Sequence, residues 1–176
     1  DQFKKIGLKP GNGNSYQQLY PVYQDELKSA SLSLYNSNFD VNKHFTANLS
    51  NSVNGGWAVK SVVYVAYGMS DKERDDYKDV DVKGKWVMLL DISPADMEKG
   101  ESFIPMSSRF GLSGKIRTAM QKGAVGVLAV SKNFMKENQP APSTLGNMYM
   151  KKEGSGSAAS NAIPVLSISY QAAASV

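Results

Sequence analysis

The chain has 176 residues, 41% of them hydrophobic and 20% charged, with a formal net charge of +4 and no cysteine. Such a chain suits one domain able to bury roughly 70% of its unfolded surface without staples; it has no disulfides or thiolate metal sites, and its redox compartment stays open. No apolar run approaches the roughly 20 residues that span a bilayer, and the lysines fall in short pairs (Lys4 and Lys5, Lys83 and Lys85, Lys151 and Lys152) rather than on the concentrated basic face of a nucleic-acid binder.

In chain order, residues 1–10 (DQFKKIGLKP) read as the last turns of a helix. Phe3 and Ile6 share a face, Gly7 can take the left-handed position after the last turn, and Pro10 blocks continuation. A helix already ending at residue 7 implies a chain cut from something longer. No signal peptide is visible, so one was removed or the chain is an excised piece. The loop Gly11–Ser15 leads to an expected strand over Tyr16–Tyr23, with Pro21 near its end. Ser29–Tyr35 sets Leu32 and Leu34 against serines, the pattern of a half-exposed strand. Residues 36–56 are polar and asparagine-rich, with a short strand expected at Phe45–Leu49 and a turn at Asn54–Gly56.

The runs at Ser61–Tyr67 and Lys85–Asp91 are apolar on both alternating faces, which predicts two interior strands covered on both sides. Between them lies a charged connector, and Asp81–Gly84 forms a turn with Gly84 available for a positive φ. Residues 93–112 are irregular. The next helix is expected over Lys115–Lys122, with Ser113 as N-cap, Ile116, Ala119 and Met120 on one face, and Gly123 as the stop. Burying Ile116 and Met120 would contribute roughly 1.5–3 kcal/mol each. A strand follows at Ala124–Val130, with Gly123 and Gly126 letting the helix end lie close to the sheet. Residues 132–162 read as a loop, Pro164 opens a strand at Val165–Ser169, and Tyr170–Val176 begins another helix.

Four pieces in this order, VVYVAYG, DDYKDVDVKGKWVMLLD, KIRTAMQKGAVGVLAV and IPVLSISYQAA, resemble the protease-associated domain as inserted in bacterial di-zinc aminopeptidases of the glutamate-carboxypeptidase-like class. The match runs from about Trp57 to Val130 and from Ile163 to Ala173, leaving 24–56 and 131–162 unmatched. The resemblance implies an α/β (α+β) fold, a β-sandwich-like or open-barrel mixed sheet with one main packed helix. It divides the chain into a peptidase-domain helix end and linker strand at 1–24, the protease-associated domain at 25–170, and a return towards the peptidase domain at 171–176. It implies a non-catalytic part of a secreted or periplasmic enzyme that flanks or caps the active site and modulates substrate access or protein interaction. The implied partners are the peptidase domain of the same parent chain and a peptide or protein substrate. Zinc belongs to the parent enzyme by resemblance, and no cofactor is expected in this chain. The alternative is a stand-alone peptide- or protein-binding module; a carbohydrate-binding sandwich fits poorly with only two tryptophans, Trp57 and Trp86.

No catalytic or metal-ligating residue is assigned. A di-zinc site needs two histidines and several carboxylates, whereas His44 is the single histidine and reads as a surface or hydrogen-bonded side chain. The carboxylates of the 71–76 segment (DKERDD), with Asp79 and Asp81, alternate with Lys72, Arg74 and Lys78. They read as a neutralised solvated loop, with calcium binding as the remaining functional possibility. Gly114 and Lys115 suggest a phosphate loop, but Arg109 stands at the first glycine and Ile116 at the hydroxyl position. Ser113 lacks a nucleophile elbow and a base. Asn48-Leu49-Ser50 is a glycosylation sequon, relevant only to a secreted eukaryotic protein. The candidate substrate- or partner-facing loop holds Phe103, Met106, Arg109 and Phe110. Related aminopeptidases carry an aromatic-Gly-Arg-Trp segment before this helix; Phe110-Gly111 matches its start, Leu112 and Ser113 replace its end, and Arg109 could substitute for the arginine. Phe103, Ile104, Met106 and Phe110 either cover one end of the sheet or form a rim facing a substrate or the peptidase domain.

Overall fold

The computed structural model describes residues 2–34, 37–49, 55–92, 111–131, 145–150 and 162–174. Its centre is a mixed five-stranded sheet of β4 (Phe45–Ala47), β5 (Val62–Tyr64), β6 (Trp86–Leu90), β7 (Gly126–Val130) and β9 (Val165–Ile168), in the spatial order β4-β9-β7-β6-β5. The last four strands in that order run parallel to one another, and β4 joins β9 antiparallel. Outside this sheet, β1 (Tyr23–Glu26) pairs with β8 (Leu145–Tyr149), and β2 (Leu32–Leu34) with β3 (Ser37–Phe39), both antiparallel. The helices are α1 (Gln2–Lys5), α2 (Leu112–Gln121) and α3 (Tyr170–Ala173).

Alternation along β6 and β7 generates two cores. Val87, Leu89, Val127 and Ala129 point to one face, where they meet Ile116 and Ala119 of α2 and Val65, Tyr77 and Val82 from the β5–β6 connector. Trp86, Met88, Leu128 and Val130 point to the other face, with Phe45, Ile168 and Ala172, and Leu32, Leu34 and Phe39 of the β2–β3 hairpin pack over them. Every residue of β7 is buried. With apolar faces worth about 25 cal/mol per Å² removed from water, a strand of this composition is stable only between two layers. The fold is therefore the mixed α/β architecture expected, with one main helix on one face and a β-hairpin lending the other a sandwich-like cover.

Several local expectations hold for stated reasons. In α1, Gly7 at φ +81° lets Leu8 N–H bond Phe3 C=O and Gly7 N–H bond Lys4 C=O, the paired bonds of a Schellman stop. Gly123 at φ +91° repeats this at the end of α2, with Ala124 N–H on Ala119 C=O and its own N–H on Met120 C=O. Gly84 at φ +70° sits in the turn before β6 and donates to Gly123 C=O at 2.9 Å, tying turn to helix end. The expected helix opens at Tyr170, and Ser169, expected as the last strand residue, instead caps it, its hydroxyl accepting from Ala172 N–H.

Others are corrected. β5 is an edge strand of three residues rather than an interior one, and Tyr64 is 58% exposed. Val63 and Val65 still pack on one core and Val62 on the other, but Ala66 at φ +42° and Gly68 at φ +66° bend the chain into the connector after three paired residues, and no strand among the described residues pairs with the far edge of β5. The N-cap of α2 is Gly111 rather than Ser113, so the helix starts earlier, without a side-chain cap. The first strand begins at Tyr23, not Tyr16, because its partner β8 reaches only that far. β8 lies inside the stretch expected to be a loop, because LGNMY interrupts its apolar residues with Gly146 and Asn147, and β3 is a strand beyond the expected ones, its three residues too few to show a period.

Gly126 is fixed by packing. A Cβ there would lie 2.2 Å from an indole carbon of Trp86, which sits directly beside it in register. Gly126→Ala should lower stability by about 1–3 kcal/mol through overpacking, measured by urea denaturation, and Trp86→Leu in the same chain should recover part of that loss. Unchanged stability in Gly126→Ala would contradict the packing described.

Candidate functional site

The charged connector is a folded part of the framework. Asp76 has a side chain only 4% exposed, and its carboxylate accepts from Tyr67 N–H at 3.2 Å, Met69 N–H at 3.1 Å and Arg74 Nε–H at 2.6 Å. Arg74 also lies over the Tyr67 ring, 4.6 Å from its centroid. Asp76 thus holds the bend made by Ala66 and Gly68, with its charge compensated by one guanidinium and two amides. Asp71 accepts from Glu73 and Arg74 N–H, and Asp75 from Tyr77 N–H. The solvated-loop reading is corrected at Asp76: a buried bend needed an acceptor for its free amides. Sequence reasoning noted the neutralising arginine but had no signal for which carboxylate is buried.

These carboxylates do not assemble a cation site. Among the described residues no group of three or more histidine and carboxylate side chains converges so as to hold a metal ion. Asp75 and Asp81 are both held below the usual carboxylate range, Asp75 first by the Tyr77 amide and Asp81 first by its hydrogen bond from Lys85. His44 is engaged locally: its Nδ1 accepts from Asp40 N–H at 3.1 Å, and its ring packs edge-on against Phe39.

Lys115, which drew notice only as part of a rejected phosphate loop, is completely buried. From the first turn of α2 its ammonium donates to Leu90 C=O at 2.6 Å and Ile92 C=O at 2.7 Å, where the chain leaves β6. It therefore ties the start of α2 to the end of the strand across residues 93–110. The proposed rim residues Phe103, Met106, Arg109 and Phe110 lie in that stretch, outside the described residues; what the structure fixes is both of its ends. Asp91 is half-buried beside Lys115. Burial pushes its carboxyl above the usual range, against the opposing pull of the Lys115 ammonium.

A groove of about 910 Å³ lies on the hairpin side of the sheet, a volume typical of ligand sites. Its floor includes Phe45, Trp86 and Leu128, and its walls are residues 29–34 and 55–62. Trp57 reaches across one wall and packs edge-to-face on Trp86, ring centroids 6.3 Å apart. Nothing in the sequence marks this site, because its two walls lie some twenty residues apart and each is unremarkable alone.

Two measurements test the framework. Asp76→Ala leaves two amides and an arginine without their acceptor and should cost about 2–4 kcal/mol in urea denaturation; a cost within error of zero would return the connector to the solvent. A carboxyl raised by folding stabilises the fold below its unfolded pKa, and that contribution is lost as pH rises through the folded value. The stability advantage of Asp91→Asn over the natural chain should accordingly be greater at neutral than at acid pH; denaturation midpoints with no such pH dependence would contradict the burial assigned to Asp91.

No helix among the described residues is long and apolar enough to cross a membrane. No curated protein matches the chain significantly. The family model described as PA domain matches residues 58–176, from the groove wall through β5, β6, α2, β7 and β9, while β4 enters the same sheet from upstream of the matched stretch. With two thirds of its length matched and the mixed sheet in place, the chain belongs to the PA (protease-associated) domain family, whose members are non-catalytic modules typically inserted in peptidases.

Proposed function

We propose that this chain is the protease-associated domain of a secreted or periplasmic zinc-dependent aminopeptidase of the di-zinc class, placed beside or over the active site so that it modulates which substrates enter. The zinc ligands and the hydrolytic residues would be supplied by the peptidase domain, and this chain would contribute surface. The family membership supports the association with a peptidase. The likeness of the four quoted segments to the inserted version supports the aminopeptidase class.

The observation that carries the reading is the distribution of exposed apolar side chains. Ile6, Leu19 and Tyr20 before the sheet, and Met148 and Met150 on and after β8, are 61–92% exposed. All lie outside the five-stranded sheet. Apolar side chains exposed on segments outside the main sheet are surface that a neighbouring domain would cover.

The direct assay is this chain with added zinc against aminoacyl chromogenic substrates. No turnover is expected. Clear turnover that survives removal of contaminating peptidase would overturn the reading, as would a parent coding sequence that continues into a membrane anchor instead of a histidine- and carboxylate-rich α/β domain.

A further inference from the structure

The groove walled by residues 29–34 and 55–62 opens over the second core, and its lining shares no residue with the exposed apolar surface just described. Three features of it point to one kind of occupant. First, its walls carry unused main chain. Among the described residues, none of 29–31 or 55–61 donates or accepts a hydrogen bond, and β2 pairs on one edge only, with β3. Unpaired backbone along a groove is what an extended chain adds to. Second, Trp86 is 5% exposed, lines the floor, and its Nε1–H has no acceptor among the described residues. A buried donor left unpaired is costly, and a carbonyl brought to it removes that cost. Third, the lining contains one charged side chain, Lys60, and no carboxylate. A basic segment would be disfavoured there, and a neutral or acidic one accepted.

We propose that this groove binds an extended peptide segment of neutral or acidic composition, one main-chain carbonyl of which takes the hydrogen bond from Trp86 Nε1. Trp57 is the movable element. It is 44% exposed, it sits on a wall segment held by no hydrogen bonds, and its ring contacts Trp86 edge-on. Swinging Trp57 off Trp86 uncovers the indole N–H and offers an aromatic face to a side chain of the bound segment. The inference does not depend on the parent being a peptidase, since it concerns only residues of this chain.

The chain carries its own reporter, because Trp57 and Trp86 are its only tryptophans and both line the groove. Synthetic octapeptides with blocked ends, divided into neutral, acidic and basic pools, would be titrated into the 176-residue chain while its tryptophan emission is followed. The acidic and neutral pools should change the emission saturably, and the basic pool should bind at least several-fold more weakly. Trp86→Phe keeps an aromatic ring, though a smaller one, and removes the donor; read through Trp57, it should weaken binding about five- to tenfold, the effect of one lost hydrogen bond. Lys60→Glu changes an exposed residue, leaves the core intact should Trp86→Phe fail to fold, and should reverse the preference for acidic peptides. Absence of saturable binding by any pool would overturn the proposal, as would equal affinity of Trp86→Phe. Concentration-dependent dimerisation in sedimentation, abolished by Val59→Asp, would also overturn it by making a second copy of the chain the occupant.

Discussion

Burial of β6 and β7 on both faces is the constraint on which the remaining structure depends. Neither strand alternates apolar with polar, so each demands cover above and below. On one side α2 and the connector supply it, and on the other the β2–β3 hairpin, Phe45 and α3 do. The close fit of Gly126 against Trp86 follows from packing a large indole on a strand whose neighbour must make room. The same demand explains the glycine stop of α2: the helix has to end and turn into β7 within a few residues, and Gly123 allows that with both terminal carbonyls satisfied.

Covering a sheet in this way buries polar groups along with apolar ones, and those groups determine where the charged residues go. The bend at Ala66–Gly68 strands two amides, and Asp76 accepts from both while Arg74 balances its charge. The exit of β6 strands two carbonyls, and Lys115 donates to both from α2. Residues that look like chemistry in isolation, a cluster of carboxylates and a lysine after glycines, are thus engaged in satisfying the backbone. What is left for recognition is surface: the apolar side chains outside the main sheet and the groove beneath Trp57.

The strands most legible in the sequence were those with the most to bury. β6, β7 and β9, the stops at Gly7 and Gly123, and the apolar face Ile116–Ala119–Met120 of α2 all announce themselves through composition or a residue with special backbone freedom. Edge position is not encoded that way. Val62–Tyr64 has the same composition as an interior strand and yet lies outermost in the sheet. β3 carries too few residues for a period, and β8 breaks its own with Gly146 and Asn147. The burial of Lys115 depends on carbonyls 23 and 25 residues away, and that of Asp76 on amides 7 and 9 residues away whose need for a partner appears only once the chain is bent. The groove depends on two distant segments meeting, and no single segment marked it.

The connector is framework rather than a free acidic surface. Native-state hydrogen exchange of the Tyr67 and Met69 amides, compared with those of Val87–Leu89 and Val127–Ala129, tests this most directly. If Asp76 locks the bend onto the sheet, the Tyr67 and Met69 amides should be strongly protected and should exchange through openings close in free energy to those of β6 and β7. Exchange of Tyr67 and Met69 at the rate of an unstructured peptide would contradict the account and leave the connector's carboxylates available to solvent and ligands.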